Sequence, residues 1–331
     1  MPLLQAAGGV VYDAQALEME LRNLGSSGLR VSVVGLGCNN FGGRLDVEGS
    51  RRVIDHAIDL GITLFDTADV YGNRGGSETI LGQVLGARRE RIVLASKFGL
   101  PMDDDKIKAG ASRRYIMAAL DASLKRLQTD YLDLYQLHTP DPRTPIEETL
   151  STLDDIVRAG KARYVGCSNL PAWQVADAQW TARQRGFNAF ISCQDEYSLV
   201  VRGADRDLIP AITHFGMGLL PYFPLASGLL TGKYRRDAAM PVGARLTNAA
   251  NQAERYLTER NWQIVEHLEA FCAARQISLL ELAFGWLLAR PGIASVIAGA
   301  TKPEQLEANV AAAAWKPSLS DLEEIDRLTA V

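Results

Sequence analysis

Four side chains able to work on a carbonyl close three apolar, strand-like runs in the first half of the chain. They are Asp66 and Tyr71 in Phe65-Asp66-Thr67-Ala68-Asp69-Val70-Tyr71-Gly72, Lys97 in Ala95-Ser96-Lys97-Phe98-Gly99, and His138 in Tyr135-Gln136-Leu137-His138. A tyrosine is a poor acid near neutrality, because its unperturbed pKa is roughly 10. A neighbouring ammonium favours phenolate and lowers that value. A carboxylate beside the lysine holds it in place and keeps it charged. A histidine can hydrogen-bond a substrate oxygen or share a proton with the tyrosine. Together such groups protonate an alkoxide as it forms from a carbonyl. They carry no electrons, so a reduction needs a cofactor.

Each residue also has a plainer reading. Asp66 could cap a turn, Tyr71 could be half-buried packing, Lys97 a surface lysine and His138 a satisfied core histidine. Their recurrence at successive strand ends favours chemistry over those readings. A third use, Lys97 as a Schiff-base amine in an isomerase or lyase, leaves Asp66 and Tyr71 without roles.

The elements that must position these groups alternate along the chain. Residues 21–24 and 29–32 flank Gly25-Ser26-Ser27-Gly28 and read as a short hairpin that plugs one end of a barrel. Eight strand-like segments follow, at 33–36, 62–65, 92–95, 132–135, 162–165, 189–192, 218–221 and 294–297. Helix-like segments lie at 49–60, 77–85, from Ser112, 145–159, 171–185, 206–214 and 302–313, with 252–274 and 278–288 after the seventh strand and 320–329 at the end. Ser112 is an expected N-cap and Gly160 an expected helix stop. Eight strand–helix units in order predict an α/β fold, a (β/α)8 barrel with extra C-terminal helices. Strand ends of such a barrel converge on one face. An open doubly wound sheet is the alternative. Gly35-Leu36-Gly37 looks like the start of a dinucleotide fingerprint, but Asn40 stands where its third glycine belongs.

Composition narrows the functional classes. The 331 residues are 47% hydrophobic and 22% charged, with a formal charge of −4. No segment is rich in Lys and Arg, so no nucleic-acid partner is expected. No apolar run reaches the roughly 18 residues of a membrane span, so no membrane partner is expected either. Cys38, Cys167, Cys193 and Cys272 form no metal-ligand spacing; no metal is expected, and free thiols fit a reducing cytoplasm. Residues 1–18 read as a flexible extension and 19–331 as one barrel domain.

The residues resemble those of the aldo-keto reductases. The stretch from Phe65 to Gly72, with Ser77-Glu78, is similar to the family's first signature. Leu137-His138 resembles its histidine motif, and Gly166-Cys167-Ser168-Asn169 its fifth-strand end. Tyr222-Phe223-Pro224-Leu225-Ala226-Ser227-Gly228-Leu229-Leu230-Thr231-Gly232-Lys233 is similar to its seventh-strand loop. Ile297-Ala298-Gly299-Ala300-Thr301-Lys302-Pro303-Glu304-Gln305-Leu306 with Asn309 is similar to its cofactor-tail segment. The glycine at 299 points to the branch containing the potassium-channel β-subunits and their bacterial relatives.

The resemblance implies NADPH-dependent reduction of a small-molecule aldehyde or ketone, with NADH less favoured. Tyr71 would be the general acid, tuned by Lys97 and Asp66, and His138 would orient the carbonyl. Ser168, Asn169 and Gln194 would hold the nicotinamide carboxamide, and Tyr222 would stack on the ring. Leu225, Ser227 and Leu230 would meet the pyrophosphate through their backbone, in a loop completed by Lys233. Lys302 would meet a 2′-phosphate at a helix start, with Gly299, Gln305 and Asn309 along the adenosine. Expected substrate-side residues are Asn40 and Phe41 after the first strand, Phe98 after the third and Tyr197 after the sixth. A second expectation is an NADP-binding, redox-sensing regulatory subunit with little turnover.

Overall fold

The computed structural model describes residues 19–330; the expected extension at 1–18 lies outside them. The chain opens with a hairpin, β1 (Leu21–Asn23) and β2 (Arg30–Ser32), paired antiparallel. Strand and helix then alternate: β3 (Val34–Gly37), α1 (Val47–Asp59), β4 (Leu64–Asp66), α2 (Tyr71–Leu85), β5 (Val93–Phe98) and α3 (Arg113–Leu127). The middle of the chain supplies β6 (Leu132–Leu137), α4 (Ile146–Arg158), β7 (Ala162–Ser168), α5 (Ala172–Arg185), β8 (Ser192–Glu196), α6 (Leu208–His214) and β9 (Gly218–Tyr222). Four helices precede the last strand: α7 (Arg245–Asn248), α8 (Ala250–Tyr256), α9 (Glu259–Arg275) and α10 (Leu279–Ala289). Then come β10 (Val296–Gly299), α11 (Pro303–Ala312) and α12 (Leu319–Thr329).

The eight strands β3 to β10 are parallel, in the order β10-β3-β4-β5-β6-β7-β8-β9. The β9–β10 seam is the thinnest: Leu219 N–H donates to Gly292 O at 2.7 Å, and Leu219 and Ile293 form one parallel bridge. The eight-stranded barrel, the hairpin and the additional C-terminal helices match the expected architecture.

Strand alternation explains how one short sequence serves two layers. Successive side chains point to opposite faces. On β5, Leu94 and Phe98 join the large core shared with the helices, whereas Ala95 faces the barrel interior with Leu64, Leu134, Leu220 and Ile297. Leu24 and Val31 of the hairpin complete that inner cluster and stop the N-terminal end of the barrel. The hairpin turn fits because Gly25 has φ of +61°, and a Cβ there would meet Gly216 O at 2.5 Å.

Helix ends follow the local chemistry. Ser112 Oγ accepts from the Tyr115 N–H and starts α3, and Ser278 with Glu281 forms a reciprocal capping box on α10. Gly160, two residues beyond the end of α4 and next to its C-cap Ala159, takes φ of +73° as the helix stop requires. Two expectations needed correction. The sixth barrel strand lies at Ser192–Glu196, not 189–192, because it is the polar residues that face the barrel mouth while the apolar Phe190 packs just before it. The expected helix over 252–274 is broken between α8 and α9, where Thr258 Oγ caps the Asn261 N–H and starts a new helix.

Candidate active site

At the C-terminal end of the barrel, the inward-facing positions turn polar. The step above Leu64 on β4 is Asp66, above Ala95 on β5 is Lys97, and above Leu134 on β6 is Gln136, followed by His138. Asp66 and Lys97 are 3% and 0% exposed. Lys97 Nζ donates to Asp66 Oδ2 at 2.6 Å, to Thr67 O at 3.0 Å and to the Tyr71 hydroxyl at 3.5 Å, using all three protons of the ammonium. The other Asp66 oxygen accepts from Gln136 Nε2 at 3.2 Å and Gln194 Nε2 at 3.1 Å. A buried ion pair is tolerable only with its remaining hydrogen-bond capacity met, and these two glutamines meet it.

Tyr71 reaches the lysine through an unusual backbone. Gly72, Asn73 and Arg74 follow with φ of +66°, +60° and +67° before α2 becomes regular. A Cβ on Gly72 would come within 2.3 Å of Phe41 O. Asn73 and Arg74 have no such excuse, and left-handed turns at non-glycine residues are costly unless their surroundings hold them.

The electrostatics set the protonation states. Burial raises the Tyr71 pKa above the usual tyrosine value, although Lys97 pulls it down. The lysine's lowering is therefore present but outweighed by desolvation. Burial works to lower the Lys97 pKa, yet Asp66 and Tyr71 outweigh it and hold the ammonium above its usual value. His138 is 8% exposed, and burial first and Lys97 second push it down to about 3. Its imidazole is thus neutral at physiological pH. The His138 and Tyr71 rings meet edge-on with centroids 5.7 Å apart, and His138 Nδ1 has no hydrogen-bond partner.

A cleft of about 620 Å³ opens over these residues. Its walls include Ser168, Asn169, Gln194 and Tyr222, joined by hydrogen bonds: the Tyr222 hydroxyl donates to Asn169 Oδ1 at 2.8 Å, and Asn169 Nδ2 donates to His138 O and Ser168 Oγ at 2.9 Å each. Leu225, Ser227, Lys233, Gly299, Gln305, Asn309 and Asn40 also line it. Leu230 is fully buried and Lys302 is exposed at the N-cap of α11; neither side chain forms part of the wall.

Three of the expected substrate-side residues are elsewhere. Phe41, Phe98 and Tyr197 are fully buried in the core. Phe98 follows Lys97, so alternation turns it outward onto Tyr135, ring centroids 4.7 Å apart. Tyr197 packs on Trp286 at 5.2 Å and bonds Asp205. Sequence reasoning also passed over residues that do shape the site. Gln136 was legible as the inward position two before His138. Arg44 and Phe223 line the cleft from loops and Arg245 from the first residue of the four-residue α7, too short for a period to mark it.

The residues present fit a phosphate-bearing dinucleotide. Ala226, Ser227 and Gly228 take φ of +46°, +56° and +97°, a tight left-handed run in which the Ala226 and Gly228 N–H groups donate to Phe223 O at 2.9 Å and Leu225 O at 2.8 Å. Asn40 is buried, its Nδ2 donates to Ala300 O at 3.1 Å, and its Oδ1 has no partner. Lys233 Nζ lies 2.9 Å from where a Cβ on Gly228 would sit.

The fold and site together are a parallel eight-stranded barrel with a lysine–carboxylate–tyrosine set beneath a cleft at its C-terminal end. The model of the aldo/keto reductase family matches residues 33–330, and the chain belongs to that family. It is 37% identical to a probable voltage-gated potassium channel subunit beta of Arabidopsis thaliana, over 92% of this chain and 94% of that protein. It is 36% identical to the L-glyceraldehyde 3-phosphate reductase of Escherichia coli K12, over 89% of this chain and 88% of that one. It is also 33% identical to the versiconal hemiacetal acetate reductase of Aspergillus parasiticus, over 86% and 90%. Such similar identities to a channel subunit and to a reductase do not select a single branch, so the expected branch assignment reduces to membership of the family. No single helix among the described residues is long and apolar enough to cross a membrane.

Proposed function

We propose that this protein reduces a small aldehyde or ketone to an alcohol with NADPH, Tyr71 delivering the proton. A bound NADPH supplies the hydride. The observation that carries the reading is the Tyr71 hydroxyl held 3.5 Å from a buried, carboxylate-paired Lys97 at the floor of the cleft. Desolvation keeps the phenol protonated, so it can donate to the oxygen of a carbonyl; the ammonium beside it stabilises the phenolate left behind. Neutral His138 offers a hydrogen bond to the same oxygen without adding charge. Ser168, Asn169 and Gln194 would hold the nicotinamide carboxamide and Tyr222 would carry the ring. Gln194 already spends one proton on Asp66, so it would offer the carboxamide its carbonyl and its remaining N–H. Lys302, exposed at the start of α11, is the group that would favour a 2′-phosphate.

The test is NADPH oxidation across a panel of aldehydes and ketones, with NADH as control, in the parent and in Tyr71→Phe. Turnover is expected to fall about 10³-fold in the variant, while NADP+ binding by fluorescence titration persists. Equal turnover in both proteins ends the assignment of Tyr71. The similarity to the plant channel subunit supports a second reading, a redox-sensing regulatory protein. Tight NADP+ binding with negligible multiple turnover on every carbonyl would favour it.

A further inference from the structure

A second cavity, of about 380 Å³, lies between the β6–α4 loop and the start of α5. None of its wall residues lines the cleft, yet the two spaces are back to back. His138 and Asn169 line the cleft; the residues beside them, Leu137 and Leu170, are buried in the wall of the cavity. Neighbouring residues at a strand end point to opposite faces, so one chain segment serves both spaces.

The frame of the cavity is firm and satisfied within itself. Pro140, Pro142 and Pro145 fix the backbone of the β6–α4 loop. Asp141 accepts from the Ala111 N–H and the Thr144 hydroxyl at 2.8 Å each and from the Arg143 N–H at 3.0 Å, so its carboxylate holds the loop together. Three other groups in the wall are unspent. Gln174 Oε1 is buried without a hydrogen-bond partner, an omission that calls for a ligand or a water. Asp177 is exposed and has no ion-pair partner among the described residues. Trp173 is 67% exposed, and no cation among the described residues lies over its ring. The other tryptophans differ: Trp180 carries Arg183 at 5.2 Å, and Trp286 carries Arg202 and Arg290 at 5.1 and 5.0 Å. Trp173 and Asp177 stand four positions apart on α5 and therefore share one face of it.

We propose that this cavity is a second ligand site, for a small organic amine in its protonated form. The ammonium donates to Gln174 Oε1 and faces Asp177, and the apolar body lies against the Trp173 ring, Leu137 and Leu170. An amide carbonyl, a carboxylate and an open indole face are each attractive to an ammonium. The wall contains no Lys or Arg to oppose it. The first turn of α5 has no side-chain cap, and its free N–H groups favour an anion. That end of a helix carries only about half an elementary charge, and the full charge of Asp177 one turn on outweighs it. Nothing in the cavity depends on dinucleotide or carbonyl chemistry in the cleft.

Titration of the full chain with 2-phenylethylamine, followed by ligand-observed NMR, tests the site. Millimolar or tighter binding is expected. It should weaken about tenfold in Trp173→Ala and about threefold in Asp177→Asn. Gln174→Met, which keeps the length and drops the acceptor, should cost roughly fivefold. Trp173 and Asp177 are exposed, so their variants should fold as the parent does. Trp180→Ala, on the same helix but outside the cavity, should bind like the parent. The N-acetyl derivative, which has lost the charge, and 3-phenylpropionate, which reverses it, should both bind more weakly. Equal or tighter binding of either one, or equal binding of the amine by the parent and Trp173→Ala, would overturn the site. So would an absence of binding at millimolar concentration. Tighter binding of Nα-acetyl-lysine methylamide than of 2-phenylethylamine would assign the cavity to a lysine side chain of another protein and overturn the free-amine ligand.

Discussion

The two ends of the cleft treat charge in opposite ways. At the reacting end every formal charge is matched inside the protein: Lys97 spends its three protons on Asp66, Thr67 and Tyr71, and Asp66 accepts from two glutamines. At the far end Arg44, Lys233 and Arg245 line the cleft with no carboxylate partner among the described residues. A reacting group must already be oriented when substrate arrives, so its partners are built in. A binding group gains most when its partner is the ligand, so its pairing is left open at some cost to the protein alone.

The sharpest way to break this comparison is to remove one cation from each end. Lys97→Met leaves Asp66 buried with only its two amide donors. Turnover should fall about 10³-fold, and unfolding free energy should drop by roughly 3–5 kcal/mol, the usual cost of orphaning a buried charge. Arg245→Ala should leave the melting temperature unchanged or slightly higher, since it relieves repulsion, while weakening dinucleotide binding. Steady-state kinetics and chemical denaturation of the two variants measure both effects. If Lys97→Met keeps its stability or Arg245→Ala loses several kcal/mol, the division of labour between the ends is wrong.

A smaller effect concerns protonation at the reacting end. His138 is pushed down to about 3 and Tyr71 above the usual tyrosine range. Neither group changes charge between pH 5 and 8, so kcat for reduction should show no histidine-like step there. It should decline only when Tyr71 loses its proton in strongly alkaline solution. A step near 6.5, the ordinary histidine value, that vanishes in His138→Gln would place an ionising imidazole in the mechanism and contradict the neutral role.

How much of this was legible follows from where each residue sits. The order of eight strand–helix units could be read because apolar runs, the Ser112 cap and the Gly160 stop follow a local chemistry. Asp66, Lys97 and His138 could be read because they end such runs. Phe98 misled because residue type was weighed without alternation: next to an inward Lys97 it has to point outward. Tyr197 misled because its partner Trp286 is 89 positions later, a distance no local pattern spans. The polar strand Ser192–Glu196 was displaced in the reading because hydrophobicity marks helix-facing positions, and this strand shows the barrel mouth its polar ones. Arg44 lies on a loop and Arg245 at the start of the short α7, and only the folded arrangement shows that they line the same cleft.

The comparison narrows to two carboxyls three residues apart. Asp66 has a lysine and two amides. Asp69, 1% exposed, has the Tyr115 hydroxyl at 3.3 Å on one oxygen, no side-chain partner on the other, and Glu78 nearby. Burial, with Glu78 second, raises the Asp69 pKa to about 7, against an ordinary 3.8. A carboxyl whose folded-state pKa is raised contributes stability below the unfolded value and loses it as pH rises through the folded one. The parent should therefore lose stability between about pH 4 and 7 on account of this group. Asp69→Asn keeps the shape and an acceptor for Tyr115 but cannot ionise. Its melting temperature should match the parent near pH 4 and exceed it by a few degrees at pH 8. Thermal denaturation at the two pH values decides the point: an equal gap at both would mean that Asp69 is not the ionising group. A lower melting temperature for the variant at pH 8 would mean that the Asp69 carboxylate is paired in the fold after all, with Arg126 the nearest candidate because it already acts to lower the Asp69 pKa.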